Sequence, residues 1–214
     1  LIICIALSTY LFAQKGSYTF GVAFYNIENL FDTINDPNKN DEEFLPDGIK
    51  KWTSDKYFKK LDNIAYVIDQ LNKNIGGKGV VFIGLSEVEN INVLKDLVKR
   101  EHIAKYRYIP ILIEGPDRRG VDVGFLFRPD YFKLIKAEAK NLYIPENPNF
   151  KTRNQLVIKG LLFEQDTVFV IVNHWPSRSG GEKRSAPLRA AAAQLCRNTV
   201  DSILAVNSNA QIFI

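Results

Sequence analysis

Apolar positions along this chain recur with two different periods, and short polar clusters punctuate the ends of the apolar runs. Ser17–Ile27 (SYTFGVAFYNI) is rich in aromatic and β-branched residues, which predicts a strand entering a buried sheet. Residues 35–47 are polar, with Pro37, Pro46 and the adjacent Gly48, and read as a long surface loop. Tyr57, Leu61, Ile64, Ala65, Ile68 and Leu71 then recur at spacings of three and four, which predicts a helix capped by Ser54 or Asp55 and stopped at Gly76-Gly77-Lys78-Gly79. Val80–Leu85 is a continuous apolar run, as expected of a strand covered on both faces.

A second helix is expected over residues 91–100, followed by strands at Tyr106–Ile113, Val121–Phe127, Gln155–Phe163 and Thr167–Val172. A third helix is expected to begin at Pro187, a favoured first-turn residue, with Leu188, Ala192, Leu195, Thr199, Val200 and Ile203 on one stripe. Gln211–Ile214 starts one more strand, and the sequence stops there; it reads as a truncation. Strands mixed with three helices in one compact length favour an α/β sandwich, with helices covering β-sheet layers.

Composition narrows the picture only slightly. The 214 residues are 46% hydrophobic and 24% charged, a globular balance that excludes disordered, collagenous and disulfide-scaffold classes. The net charge of +4 suits an anionic partner without identifying one. Leu1–Gln14 carries no charge and is shorter than the roughly 20 apolar residues of a membrane-spanning helix. It reads as the apolar part of a secretory signal ending near Ala13 or Gln14, with residues 15–214 as the folded domain and a secreted or periplasmic location. A buried first strand or helix is the alternative. Of the two cysteines, Cys4 would leave with the signal, and Cys196 falls on the apolar side of a helix as a buried thiol.

Candidate chemistry sits at the strand ends. Tyr25-Asn26-Ile27-Glu28-Asn29 closes the first strand, and Ser86-Glu87-Val88-Glu89 closes the second. A carboxylate at the end of a buried strand is costly without a partner, and a hard cation is a natural one; Glu87 could equally cap the following helix. Asn173-His174-Trp175-Pro176-Ser177-Arg178 follows another strand, so His174 is the placed histidine, whereas His102 lies in a charged, exposed stretch. Asp122 stands inside an apolar strand, where it is either bonded structurally or orients a site residue. Arg153 precedes the next strand and could grip a phosphate through its fork of donors, or simply lie on the surface.

The ordered series YNIENL, GLSEVEN, RRGVDVGFLFRPD, TRNQL and VNHWPSR resembles the endonuclease/exonuclease/phosphatase superfamily, nearest to its deoxyribonuclease I-like secreted bacterial members, over residues 18–214. The resemblance implies a four-layer α/β sandwich: two packed, mostly antiparallel sheets flanked by helices, with an active site at one edge. It implies Mg²⁺ (or Mn²⁺) on Glu87, with Glu28 a second acidic metal-site residue. Asn26 and His174 are implied to be catalytic, Asp122 the acidic partner of His174, and Arg153 and Asn173 phosphate contacts. The family's Gly-Asp-Phe-Asn and Ser-Asp-His motifs would follow Ile214, so this chain alone is expected to be inactive or nearly so. The expected reaction is metal-dependent hydrolysis of a phosphodiester by a monomer without a membrane span, on DNA or RNA first. A phosphatase or lipid phosphodiesterase of the same fold, or a non-catalytic binding module, are the alternatives.

Overall fold

A computed structural model describes residues 19–214, so the expected signal segment and Cys4 lie outside the described residues. The first strand, β1 (Gly21–Leu30), is joined to β2 (Val80–Val88) by the helix α1 (Ser54–Ile75). The two strands pair in parallel, so α1 is the crossover of a βαβ unit. Its stripe faces the sheet as its spacing predicts: Leu61, Ala65 and Ile68 are fully buried against Ile83 and Leu85 of β2. The N-cap is Thr53, one residue earlier than expected, and makes no side-chain cap bond. At the other end Gly76 takes φ +70°, a left-handed turn that glycine adopts without a Cβ penalty.

Two short helices, α2 (Ile91–Val98) and α3 (Glu101–Ala104), follow, where one helix over residues 91–100 was expected. Asn90 caps α2 by accepting from the amides of Asn92 and Val93. Strands β3 (Ile109–Leu112) and β4 (Asp122–Phe127) complete a sheet in the order β1-β2-β4-β3. The second sheet contains β5 (Phe132–Lys140), β6 (Gln155–Leu162), β7 (Asp166–Val172) and β8 (Gln211–Phe213) in sequential order. Within each sheet one strand pair is parallel and the other two antiparallel.

The sheets pack face to face through Phe82, Val123 and Phe125 on one side and Leu156, Ile158, Val170 and Val172 on the other. Helix α4 (Glu182–Val206) lies on the outer face of the second sheet, where Cys196 packs against Val157 and Ile171. The order of layers is therefore helix, sheet, sheet, helix, the α/β sandwich the sequence implied. Among the described residues no helix is long and apolar enough to cross a membrane.

Two expectations need correction. Strand β5 was not anticipated: FKLIKAEAK mixes charge with alanine, and Lys133–Lys136 are exposed. It is an edge strand, where outward lysines discourage pairing with other chains, and an edge has only one neighbour to impose a pattern. Helix α4 also starts five residues before Pro187, which lies inside it. The amide that proline lacks would have met the carbonyl of Lys183. Around this turn Ser185 Oγ donates to the carbonyls of Gly181 and Glu182, and the Arg189 guanidinium donates to Ser185 Oγ.

One buried polar residue pins the helix layer to the sheet. Asn72 on α1 accepts from the Val80 amide at 2.9 Å and donates to the Ile68 carbonyl and to the Tyr108 hydroxyl, which itself donates to the Val80 carbonyl. Asn72→Ala strands the Val80 amide in an apolar core. The substitution is expected to lower stability by about 2–3 kcal/mol, read in urea as a lower midpoint with an unchanged slope.

Candidate active site

The site forms where the two parallel strands break their pairing together. Asn26 is opposite Ser86 and Leu30 is opposite Val88, so three residues of β1 face Glu87 alone. Glu87 is also the extra residue against β4, since Ser86 pairs with Val123 and Val88 with Asp122. Such bulges re-aim side chains at strand ends. Here they place Glu28 (φ 54°), Asn29 (φ 56°) and Glu87 (φ 65°) in the left-handed region, at a cost of about 1–2 kcal/mol per residue. Backbone strain concentrated on three polar residues at one edge marks that edge as a functional candidate.

The strained turn holds one carboxylate from two sides. Glu87 Oε1 accepts from Asn26 Nδ2 at 3.1 Å, and Oε2 accepts from the Asn29 amide at 3.0 Å. Asn26 Oδ1 in turn accepts from the Glu28 amide at 2.9 Å, which fixes the orientation of the Asn26 side chain. From the second sheet, His174 brings Nε2 to 3.5 Å from Glu87 Oε1. Burial, helped by the nearby Arg153 cation and opposed by Glu87, pushes the His174 imidazole down to about 4, so it is neutral at pH 7. Its Nδ1 is buried without a hydrogen-bond partner among the described residues.

Beside this group Arg153 is locked at the start of β6. Its guanidinium donates to Asp117 at 3.3 Å and to the Trp175 carbonyl at 2.9 Å, with the Arg153 and Asp117 side chains each 8% exposed. Asp117 also accepts from the Arg119 amide at 3.0 Å. The sequence reading passed over Asp117, although Gly115-Pro116-Asp117 is a turn signal ahead of an Arg pair. Asn29, part of the first polar cluster, contributes a backbone amide that no side-chain pattern announces, and the Lys60 ammonium donates to the Glu28 carbonyl.

Asn26, Glu87, His174 and Arg153 thus converge; the other three candidates do not. Asp122 was expected to orient His174, but its carboxylate accepts from the Gly115 amide at 3.0 Å and makes no bond to the imidazole. Burial raises it to about 6. Asn173 was expected to touch phosphate, yet its amide accepts from Gln155 Nε2 at 2.9 Å and donates to the Ile171 carbonyl. Gln155 continues the relay by accepting from Thr199 of α4. Asn173 and His174 diverge because consecutive residues of an extended chain face opposite ways. Glu28 was expected beside the metal, but its side chain is exposed, outside the cleft that Glu87 and His174 line, and makes no hydrogen bond or ion pair among the described residues.

Glu87 and His174 open into a cleft of about 700 Å³ that Asp117, Arg119 and Arg153 also line. Among the described residues no three His, Cys, Asp or Glu side chains converge as a metal cage. A zinc site is therefore a poor fit. Mg²⁺ keeps several of its waters and is commonly held by one or two carboxylates, so the solvent-facing Glu87 carboxylate, with the Asn26 amide beside it, fits that ion. Just behind, Glu89 accepts from the Asp32 amide at 2.7 Å but is 8% exposed. Burial, with Asp32, Asp41 and Asp36 nearby, pushes its carboxyl up to about 8.

The sequence model described as Endonuclease/Exonuclease/phosphatase family matches residues 21–214. No curated protein matches the sequence significantly. Among solved structures the fold is similar to TDP2 from Caenorhabditis elegans (TM-score 0.51, 17% identity), over 75% of this chain and 42% of that one. It is also similar to an endonuclease/exonuclease/phosphatase from Bacteroides vulgatus (0.52, 15%), over 85% and 59%. A conserved protein of unknown function from Enterococcus faecalis V583 matches at 0.53 and 16%, over 86% and 62%. The chain thus spans about two fifths to three fifths of the length of these structures.

The buried Glu89 generates a pH dependence whose sign is fixed. A carboxyl raised in the folded state binds its proton more tightly there than in the unfolded chain. Its neutral form therefore favours folding at low pH, and that contribution is lost as pH rises from about 4.5 through 8. Glu89→Gln is expected to be more stable than the parent at pH 8.5 by about 2 kcal/mol or more, with the gap closing toward pH 4.5 in urea titrations.

Proposed function

Because the chain belongs to the endonuclease/exonuclease/phosphatase family, we propose that it belongs to a secreted or periplasmic, monomeric, metal-dependent phosphodiesterase that acts first on DNA or RNA. The convergence of Asn26, Glu87, His174 and Arg153 from two sheets carries this reading. The three left-handed residues gathered at that edge add to it. The apolar run Leu1–Ala13 supports export.

Glu87 would hold Mg²⁺ or Mn²⁺, which supplies positive charge for the phosphoryl oxygens and the leaving group. The chain's own residues do the positioning. Asn26 and the Asn29 amide fix the Glu87 carboxylate, so the ligand is set before substrate arrives. Arg153, braced by Asp117 and the Trp175 carbonyl, offers a fixed cation to a phosphate oxygen. His174, neutral at pH 7, carries one N–H to donate to the charge that grows on the phosphate as the bond to the leaving group breaks.

The test uses protein from the full reading frame, with plasmid DNA, RNA, bis(p-nitrophenyl) phosphate and a phosphomonoester panel, in Mg²⁺, Mn²⁺ or EDTA. Metal-dependent cleavage of a diester is expected, abolished by EDTA and by Glu87→Ala and reduced about 10²–10³-fold by His174→Ala. Release of phosphate from monoesters alone would move the substrate class, and a folded protein inert on every substrate would sink the hydrolase reading.

A further inference from the structure

The cleft is larger and more cationic than one phosphate requires. At about 700 Å³ it is the size of a site for a drug-sized ligand, whereas Glu87, His174 and Arg153 suffice for a single phosphate group. The remaining wall carries Lys151, just before Arg153, and Arg184, in the first turn of α4. Both are exposed, and neither makes an ion pair or a side-chain hydrogen bond among the described residues. The acids of the lining are already engaged: Glu87 by Asn26 and Asn29, and Asp117 by Arg119 and Arg153. Among the described residues the carboxylates lining this cleft are Glu87 and Asp117, and neither pairs with Lys151 or Arg184.

The loop that presents Arg184 is built. Gly180 and Gly181 take φ +77° and +102°, which turn the chain sharply from Pro176 into α4. Ser185, buried in the first turn, is clamped by Arg189, so the start of the helix is braced from behind. Ser177 Oγ accepts from the Ser179 amide and shapes the same loop.

We propose that Lys151 and Arg184 form a second anion subsite, which takes the phosphate next to the scissile one. Resting on the phosphodiesterase reading above, this makes the substrate a strand with successive phosphates, not an isolated diester. Two cations lining the same cleft as the Glu87–His174 group favour a ligand that carries a second phosphate, and together they are expected to raise its affinity by about tenfold.

Calorimetry on protein from the full reading frame, in Mg²⁺, tests the subsite with thymidine 3′,5′-bisphosphate and thymidine 5′-monophosphate. The bisphosphate is expected to bind about tenfold more tightly or better, and Lys151→Gln with Arg184→Gln to remove that advantage while monophosphate affinity stays within about twofold. Equal affinity for the two ligands, or equal losses on both in the double variant, would overturn the subsite. Metal-dependent cleavage of bis(p-nitrophenyl) phosphate by the unsubstituted protein reports on the hydrolase reading alone, so the two failures are told apart.

Discussion

Everything at the candidate site depends on a paired irregularity in two parallel strands. Regular pairing through Leu30 and Val88 would have sent Glu87 along the pleat, into one face of the sheet or the other. The bulge instead turns it outward and brings the Asn29 amide and the Asn26 side chain to its two oxygens. The strain of three left-handed residues is offset by these charge-assisted bonds and by the fully buried Leu30 and Val88 on either side. A single pair, Leu30 with Val88, closes the irregularity where both strands end.

The second sheet supplies what the first cannot. His174 and Arg153 come from the ends of β7 and the approach to β6, and the face-to-face packing of Phe82, Val123, Ile158 and Val172 fixes their distance from Glu87. Gly84 illustrates how tight that packing is, since a side chain there would meet Val172 at 3.1 Å. Burial then sets the charges: His174 is held neutral, while Arg153 is paired with Asp117. The site accordingly combines one anchored anion, one neutral donor and one anchored cation, an arrangement suited to a phosphate and a metal ion together.

Periodicity alone revealed α1, β4, β6 and β7 within a residue or two, and the start of β2, because each has one or two buried faces that force a pattern on the sequence. The strand ends bearing Asn26, Glu87, His174 and Arg153 were legible for the same reason, as polar residues that interrupt apolar runs. Strand β5 was not, since its charge-rich, largely exposed sequence FKLIKAEAK leaves no such pattern. Nor was the start of α4, where side-chain bonds from Ser185 and Arg189 admit a proline that local rules would place at the first helical position. Which polar residues work together was decided only in three dimensions. Asp122 and Asn173 carry the same sequence signal as Glu87 and His174, yet Gly115 takes up the first and Gln155 the second. A sequence records that a polar group lies near a strand end; the bulges, the strand register and the spacing of the two sheets determine whether it faces the cleft or a neighbouring backbone.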